Sequence, residues 1–76
     1  DIAWCEWIVR MHHPTAVDCL PAFFDAYGAR PPWPIRQHAM LERCRRLEDF
    51  SRRWDSDDGV RLWQVRARAT AGWSGP

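Results

Sequence analysis

The chain has 76 residues, 11 of them basic and 10 acidic, for a formal charge of +1, so it holds one domain at most and exerts no general pull on nucleic acid. A chain this short buries about 60% of its unfolded surface, and six Trp, three Phe and one Tyr are the large groups available for its core. No run approaches the roughly 20 apolar residues of a membrane span, and the apolar opening carries Glu6 with no basic stretch ahead of it, unlike a secretory leader. Neither a membrane nor a nucleic acid is expected as a partner.

All the basic residues are Arg and none is Lys, which reflects GC-rich coding rather than mechanism. Cys5, Cys19 and Cys44 are odd in number and irregularly spaced. That excludes a complete internal disulfide framework and matches no zinc spacing. They read as buried, reduced thiols of a cytoplasmic protein.

The opening, DIAWCEWIV, predicts a helix over Asp1–Met11, with the Asp1 carboxylate as its N-cap. Only Glu6 and Arg10 are polar along it, one turn apart as an i, i+4 pair. Ile2, Ala3, Trp4, Cys5, Trp7, Ile8, Val9 and Met11 fill the rest of the circumference. A helix apolar all round belongs in the centre of a larger body, and three further short helices are too few to wrap it. The expectation is a fragment of a larger fold.

His12, His13 and Pro14 end that helix. A second runs from near Asp18 to Tyr27, with Pro21 tolerated in its first turn and Gly28 stopping it. ARPPWP, Ala29 to Pro34, reads as a stiff extended connector, because each residue before a proline is biased away from helix.

The third segment, Ile35 to about Asp55, has a stripe of Met40, Cys44, Leu47, Ser51 and Trp54, widened by Leu41 and Phe50. Glu42–Arg46, Glu48–Arg52 and Asp49–Arg53 each place an acid four residues before a base. Arg36 and Arg43 fall inside the apolar arc. Either their stems snorkel along the core with wet heads, or they point into a cleft that holds an anionic or polar group.

DSDDG, Asp55 to Gly59, is a turn and a cap for a fourth helix over Val60–Ala71. It carries two apolar strips, Val60, Trp63, Ala67 and Ala71 against Leu62, Val65 and Ala69, as if sandwiched between two partners. VRARAT alternates like a strand, but its alanines favour helix. Trp73 is available to pin the final GWSGP. The fold class is therefore all-α, about four helices in one unit over residues 1–76.

The order DIAWC at the head of a helix, FFDAYG closing the next, and PPWP leading into a long amphipathic helix resembles the C-terminal helical part of the aminoglycoside phosphotransferase family. These are antibiotic kinases with a protein-kinase-like fold, related to choline and homoserine kinases. The likeness covers Asp1 to roughly Leu47; beyond that it rests on helical pattern and the last Trp. It implies that the chain is the acceptor-side helical subdomain of a small-molecule O-phosphotransferase. The family's His-Gly-Asp catalytic loop and its Ile-Asp-aromatic, magnesium-binding segment have no counterpart here. The resemblance thus implies an N-terminal catalytic part as partner, ATP and Mg²⁺ as cofactors of the parent enzyme, and no catalytic group or cofactor in this chain. Phosphoryl transfer is chiefly alignment and charge stabilisation, and those missing groups supply both.

Asp1 matches the family's helix-capping Asp, whose implied role is to hold the catalytic-loop backbone; an ordinary N-cap is the alternative. The family lines its acceptor site with the end of this first helix and the loop after it, here RMHHPTAVD. Members that take polycationic aminoglycosides tend to place several carboxylates there. This chain offers Arg10, His12 and His13, with Asp18 further on, which suits a neutral, hydrophobic or anionic alcohol. The two histidines lack a third ligand at metal-binding spacing, and an exposed turn accounts for them equally well.

Two other classes fit parts of the pattern. A small helical subunit that associates through the first helix would explain its apolar circumference. A helix-turn-helix DNA-binding module would use the Arg-rich third segment, but those arginines are interleaved with acids, and the connector before them is long and proline-rich.

Overall fold

The computed structural model describes residues 2–76; Asp1, and with it the expected cap and its place beside a catalytic loop, lies outside them. The described residues form helix α1 (Ile2–His12), a 3-10 segment (Pro14–Cys19), α2 (Leu20–Tyr27), α3 (Trp33–Trp54) and α4 (Asp57–Ala71). The fold is all-α, with no strand among the described residues, and VRARAT is helical.

Proline placement sets two of the boundaries. Pro21 cannot donate to the preceding turn, and the chain ahead of it tightens into the 3-10 segment, so α2 starts at Leu20 rather than near Asp18. Pro34 falls at the start of α3, where its missing N–H costs nothing, so that helix begins at Trp33 and the extended connector shortens to residues 29–32. Gly28 closes α2 with φ 91°, and its N–H donates to the Phe24 carbonyl at 2.9 Å. That left-handed conformation is one that glycine adopts without strain.

The α3–α4 hairpin is the frame, and α1 packs across α3. Its turn is tight because Gly59 admits it: a β-carbon there would lie 2.6 Å from Asp55 Oδ2 and 3.1 Å from the Ser51 side chain. Ser56 caps α4 by accepting from the Gly59 N–H, at a long 3.4 Å. This close approach explains where the expected stripe on α3 narrows. Met40, Cys44 and Ser51 are buried and Leu47 is half-buried, but Phe50 and Trp54 lie on the flank, Trp54 at 75% exposure. The surface acids of α3 pair largely as expected, Glu48 with Arg52 at 2.7 Å and Glu42 with Arg46 at 3.7 Å. Asp49 turns to Arg52 at 3.0 Å instead of Arg53, and the neighbouring Arg45 holds the Glu42 carboxyl below its usual range.

The core is built from Ala3, Trp7, Met40 and Cys44, with Trp4, Trp33, Trp63, Ala67 and Trp73 packed around it. Trp7 stacks on Trp4 at 4.2 Å between ring centres and on Trp63 at 5.8 Å, and its indole N–H donates to Thr70 Oγ1 at 2.9 Å. The expectation that so few helices could not enclose α1 is therefore corrected on its tryptophan side. Large aromatic rings cover more surface per residue than the helix count suggests. The other side stays open: Cys5 and Ile8 are exposed, and α4 likewise leaves Leu62 and Val65 uncovered while its Val60–Trp63–Ala67 strip packs inward.

Candidate functional site

The rotation of α1 inverts its apparent polarity. Glu6 is among its buried residues while Cys5 and Ile8 face water. The cause is Arg36 on α3, whose Nε donates to Glu6 Oε1 at 2.7 Å, while Arg10 Nε donates to Glu6 Oε2 at 2.9 Å. One carboxylate thus accepts from two guanidiniums, a charge-assisted arrangement that offsets the cost of burying all of them.

The remaining Arg36 nitrogens tie down the chain around it. One donates to the Pro31 carbonyl in the connector and another to the main-chain oxygen of Pro76 at 2.7 Å. The Arg36 guanidinium also lies over Phe24 at 5.0 Å and Trp33 at 5.2 Å. Arg36 therefore does not snorkel, and the anionic group its head meets is the buried Glu6 carboxylate of α1 rather than a group held in a cleft. Arg43 keeps an exposed position, with its guanidinium 5.0 Å from the Trp4 ring centre.

The tail completes the cluster. Gln37 Nε2 donates to the Thr70 and Trp73 carbonyls at 3.0 and 3.2 Å, which brings the last residues back across the start of α3. Gly75 packs closely there: a β-carbon would sit 2.8 Å from the Arg10 guanidinium and 3.3 Å from Trp33, so a larger residue would displace the end of the Arg10 side chain. Between this tail, the 3-10 segment and α2 lies a cavity of about 230 Å³, with Arg10, Arg30 and Arg36 on its charged side, Asp18 beside them, and Val17, Leu20 and Phe24 among its apolar walls.

Of the site residues expected from sequence, Arg10 lines this cavity and His12 and His13 do not. His12 is exposed and lies edge-on to Trp7 at 5.6 Å. His13 is exposed and opens the 3-10 segment, its carbonyl accepting from the Ala16 N–H at 2.8 Å. Among the described residues no three His, Cys, Asp or Glu side chains are grouped to hold a metal. Glu6, Arg30 and Arg36 complete the arrangement. The signal for the first and last was in the sequence: a lone acid on an apolar helix and a base inside an apolar arc are natural partners, although Arg43 shares that arc with Arg36.

The cysteines divide differently from the expectation of three buried thiols. Cys44 is buried between α3 and α4, and burial pushes its pKa up. Cys5 and Cys19 are exposed, because they sit on the open side of α1 and at the end of the 3-10 segment, where both line a second, apolar cavity of about 120 Å³ with Val9, Ala16, Leu20 and Phe23. Native protein treated with a thiol-reactive dye is expected to label Cys5 and Cys19 readily and Cys44 only after denaturation, since the thiolate is the nucleophile. Mass mapping of the labelled peptides reads this directly, and prompt labelling of Cys44 would contradict the packing.

The architecture and the cavity define an all-α domain with an arginine-lined cleft and an open apolar face. No protein-family model, curated protein or solved structure matches the chain.

Proposed function

We propose that this chain is the acceptor-side helical subdomain of a small-molecule O-phosphotransferase of the aminoglycoside phosphotransferase type, and is not catalytic by itself. The observation that carries the reading is the open face of α1 and α2. Ile8 at 38% and Phe23 at 36% exposure, with Cys5 between α1 turns, leave an apolar strip that a preceding catalytic part would cover. Arg10 stands at the far end of the same helix, on the cavity, where the family resemblance places the acceptor. A cleft with three guanidiniums repels a polycation and suits a neutral or anionic alcohol. ATP and Mg²⁺ would be bound by the catalytic part.

Association with a separate protein through the same face is the second reading, favoured by the additional uncovered pair Leu62 and Val65 on α4. A DNA-binding role is less well supported, because Arg45, Arg46 and Arg52 on α3 are engaged with Glu42, Glu48 and Asp49.

The coding sequence upstream of Asp1 discriminates these. A His-Gly-Asp loop and an Ile-Asp-aromatic segment are expected there. The protein expressed with that part should consume ATP in the presence of Mg²⁺ and an alcohol, while the 76-residue chain alone does not. A start codon with a ribosome-binding signal directly ahead of Asp1, or turnover by the short chain alone, would refute the assignment.

A further inference from the structure

We propose that the cavity bounded by Arg10, Arg30 and Arg36 binds a small monocarboxylate with a compact apolar body. The cavity is the one that the proposed function gives to the acceptor, but the inference is argued only from groups held by this chain, and benzoate binding tests it whether or not the phosphotransferase reading holds.

Arg36 sets the field without offering itself. Its side chain is 1% exposed, and Glu6, Pro31 and Pro76 already accept from its nitrogens. It is a fixed positive charge behind the cavity wall. Arg10 is different: Glu6 engages its Nε, and among the described residues nothing accepts from its terminal nitrogens. Its plane is held by stacking on Trp33 at 5.0 Å. Arg30 forms no ion pair with any described residue and lies over the Phe24 ring at 4.7 Å. Two guanidinium forks with free donors thus border one cavity, each kept in place by an aromatic face. Preorganised forks of this kind match the two oxygens of a carboxylate.

Charge and size narrow the ligand. Three guanidiniums stand against the carboxylates of Glu6 and Asp18 and, in the 76-residue chain, the terminal carboxylate of Pro76. The unengaged donors of Arg10 and Arg30, rather than an excess of charge, therefore accommodate a single carboxylate, and a dianion would be repelled by Asp18. Val17, Leu20 and Phe24 supply an apolar wall for the rest of the molecule. At about 230 Å³, the cavity is smaller than the roughly 300–1,000 Å³ typical of drug-sized ligands. The occupant is therefore a compact acid.

Benzoate is the probe, titrated into the isotope-labelled 76-residue chain and followed by NMR, with benzyl alcohol and phenyl phosphate as comparisons. Benzoate is expected to bind saturably, to shift the Nε–H resonances of Arg10 and Arg30, and to weaken as salt is raised. Arg30→Gln, at an exposed position outside the core, should weaken benzoate about tenfold. Asp18→Asn should tighten it, because a like charge is removed beside the site. Equal binding of benzoate and benzyl alcohol, tighter binding of phenyl phosphate, or an Arg30→Gln chain that binds benzoate like the parent would each overturn the assignment.

Discussion

Glu6→Ala is expected to remove most of the stability of this chain, and far-UV circular dichroism on heating should show its cooperative transition lowered by about 15 °C or more. Glu6 is fully buried and is the only side-chain carboxylate paired with Arg36 among the described residues. Truncating it strands a guanidinium that is itself 1% exposed. Leaving such a charge without its partner costs about 3–5 kcal/mol. A chain of 76 residues has on the order of 4–11 kcal/mol in total, and each kcal/mol moves the midpoint of so small a domain by about 4–8 °C.

The companion variant separates the worth of the pair from the penalty of breaking it. Glu6→Leu combined with Arg36→Met replaces both charges with apolar groups of similar volume, and such exchanges are often neutral or stabilising. Recovery of most of the lost stability is expected. It should fall short of complete, because the Pro31 and Pro76 oxygens lose their donor and Arg10 loses its acceptor. A Glu6→Ala chain that melts within a few degrees of the parent would show that the cluster is wetter and looser than its geometry.

How far the sequence carried the fold depended on whether local or long-range physics set each element. The four helices, the Gly28 stop and the inward strip on α4 follow from periodicity and capping, which are local. The start of α3 at Trp33 and the 3-10 segment before α2 depended on where prolines could sit, a choice between two allowed positions. The burial of Glu6 could not be read from α1 alone. Its periodicity made Glu6 and Arg10 the wet face, and only the partner on α3 turns that face inward. The same holds for the cavity: Arg10 was singled out, but its neighbours Arg30 and Arg36 come from the connector and another helix, and the histidines adjacent in sequence point elsewhere. Trp54, by contrast, was assigned to a stripe that the tight approach at Gly59 leaves on the flank.

Trp7→Ala is the second large effect expected, a loss of about 3–5 kcal/mol, as for other buried aromatic truncations. Trp7 is 1% exposed and ties α1 to α4 by three contacts: it stacks on Trp4 within α1, on Trp63 of α4, and donates to Thr70 near the end of α4. Thr70 in turn donates its hydroxyl to the Arg66 carbonyl at 2.7 Å, which directs its proton away from Trp7 and leaves an oxygen lone pair for the indole N–H. Two conservative variants divide the effect. Trp7→Phe keeps a ring but drops the donor, and the lost hydrogen bond is worth about 0.5–1.5 kcal/mol beyond the volume change. Thr70→Val keeps the branched shape and leaves the indole N–H buried without an acceptor, at about 1–3 kcal/mol. Urea unfolding should therefore rank Trp7→Ala as the most damaging. The double variant Trp7→Phe, Thr70→Val should cost less than the sum of its parts, since with the indole gone there is no donor left unsatisfied. Strict additivity would mean that the two side chains stabilise the chain independently, and α1 would then be held to α4 by ring stacking alone.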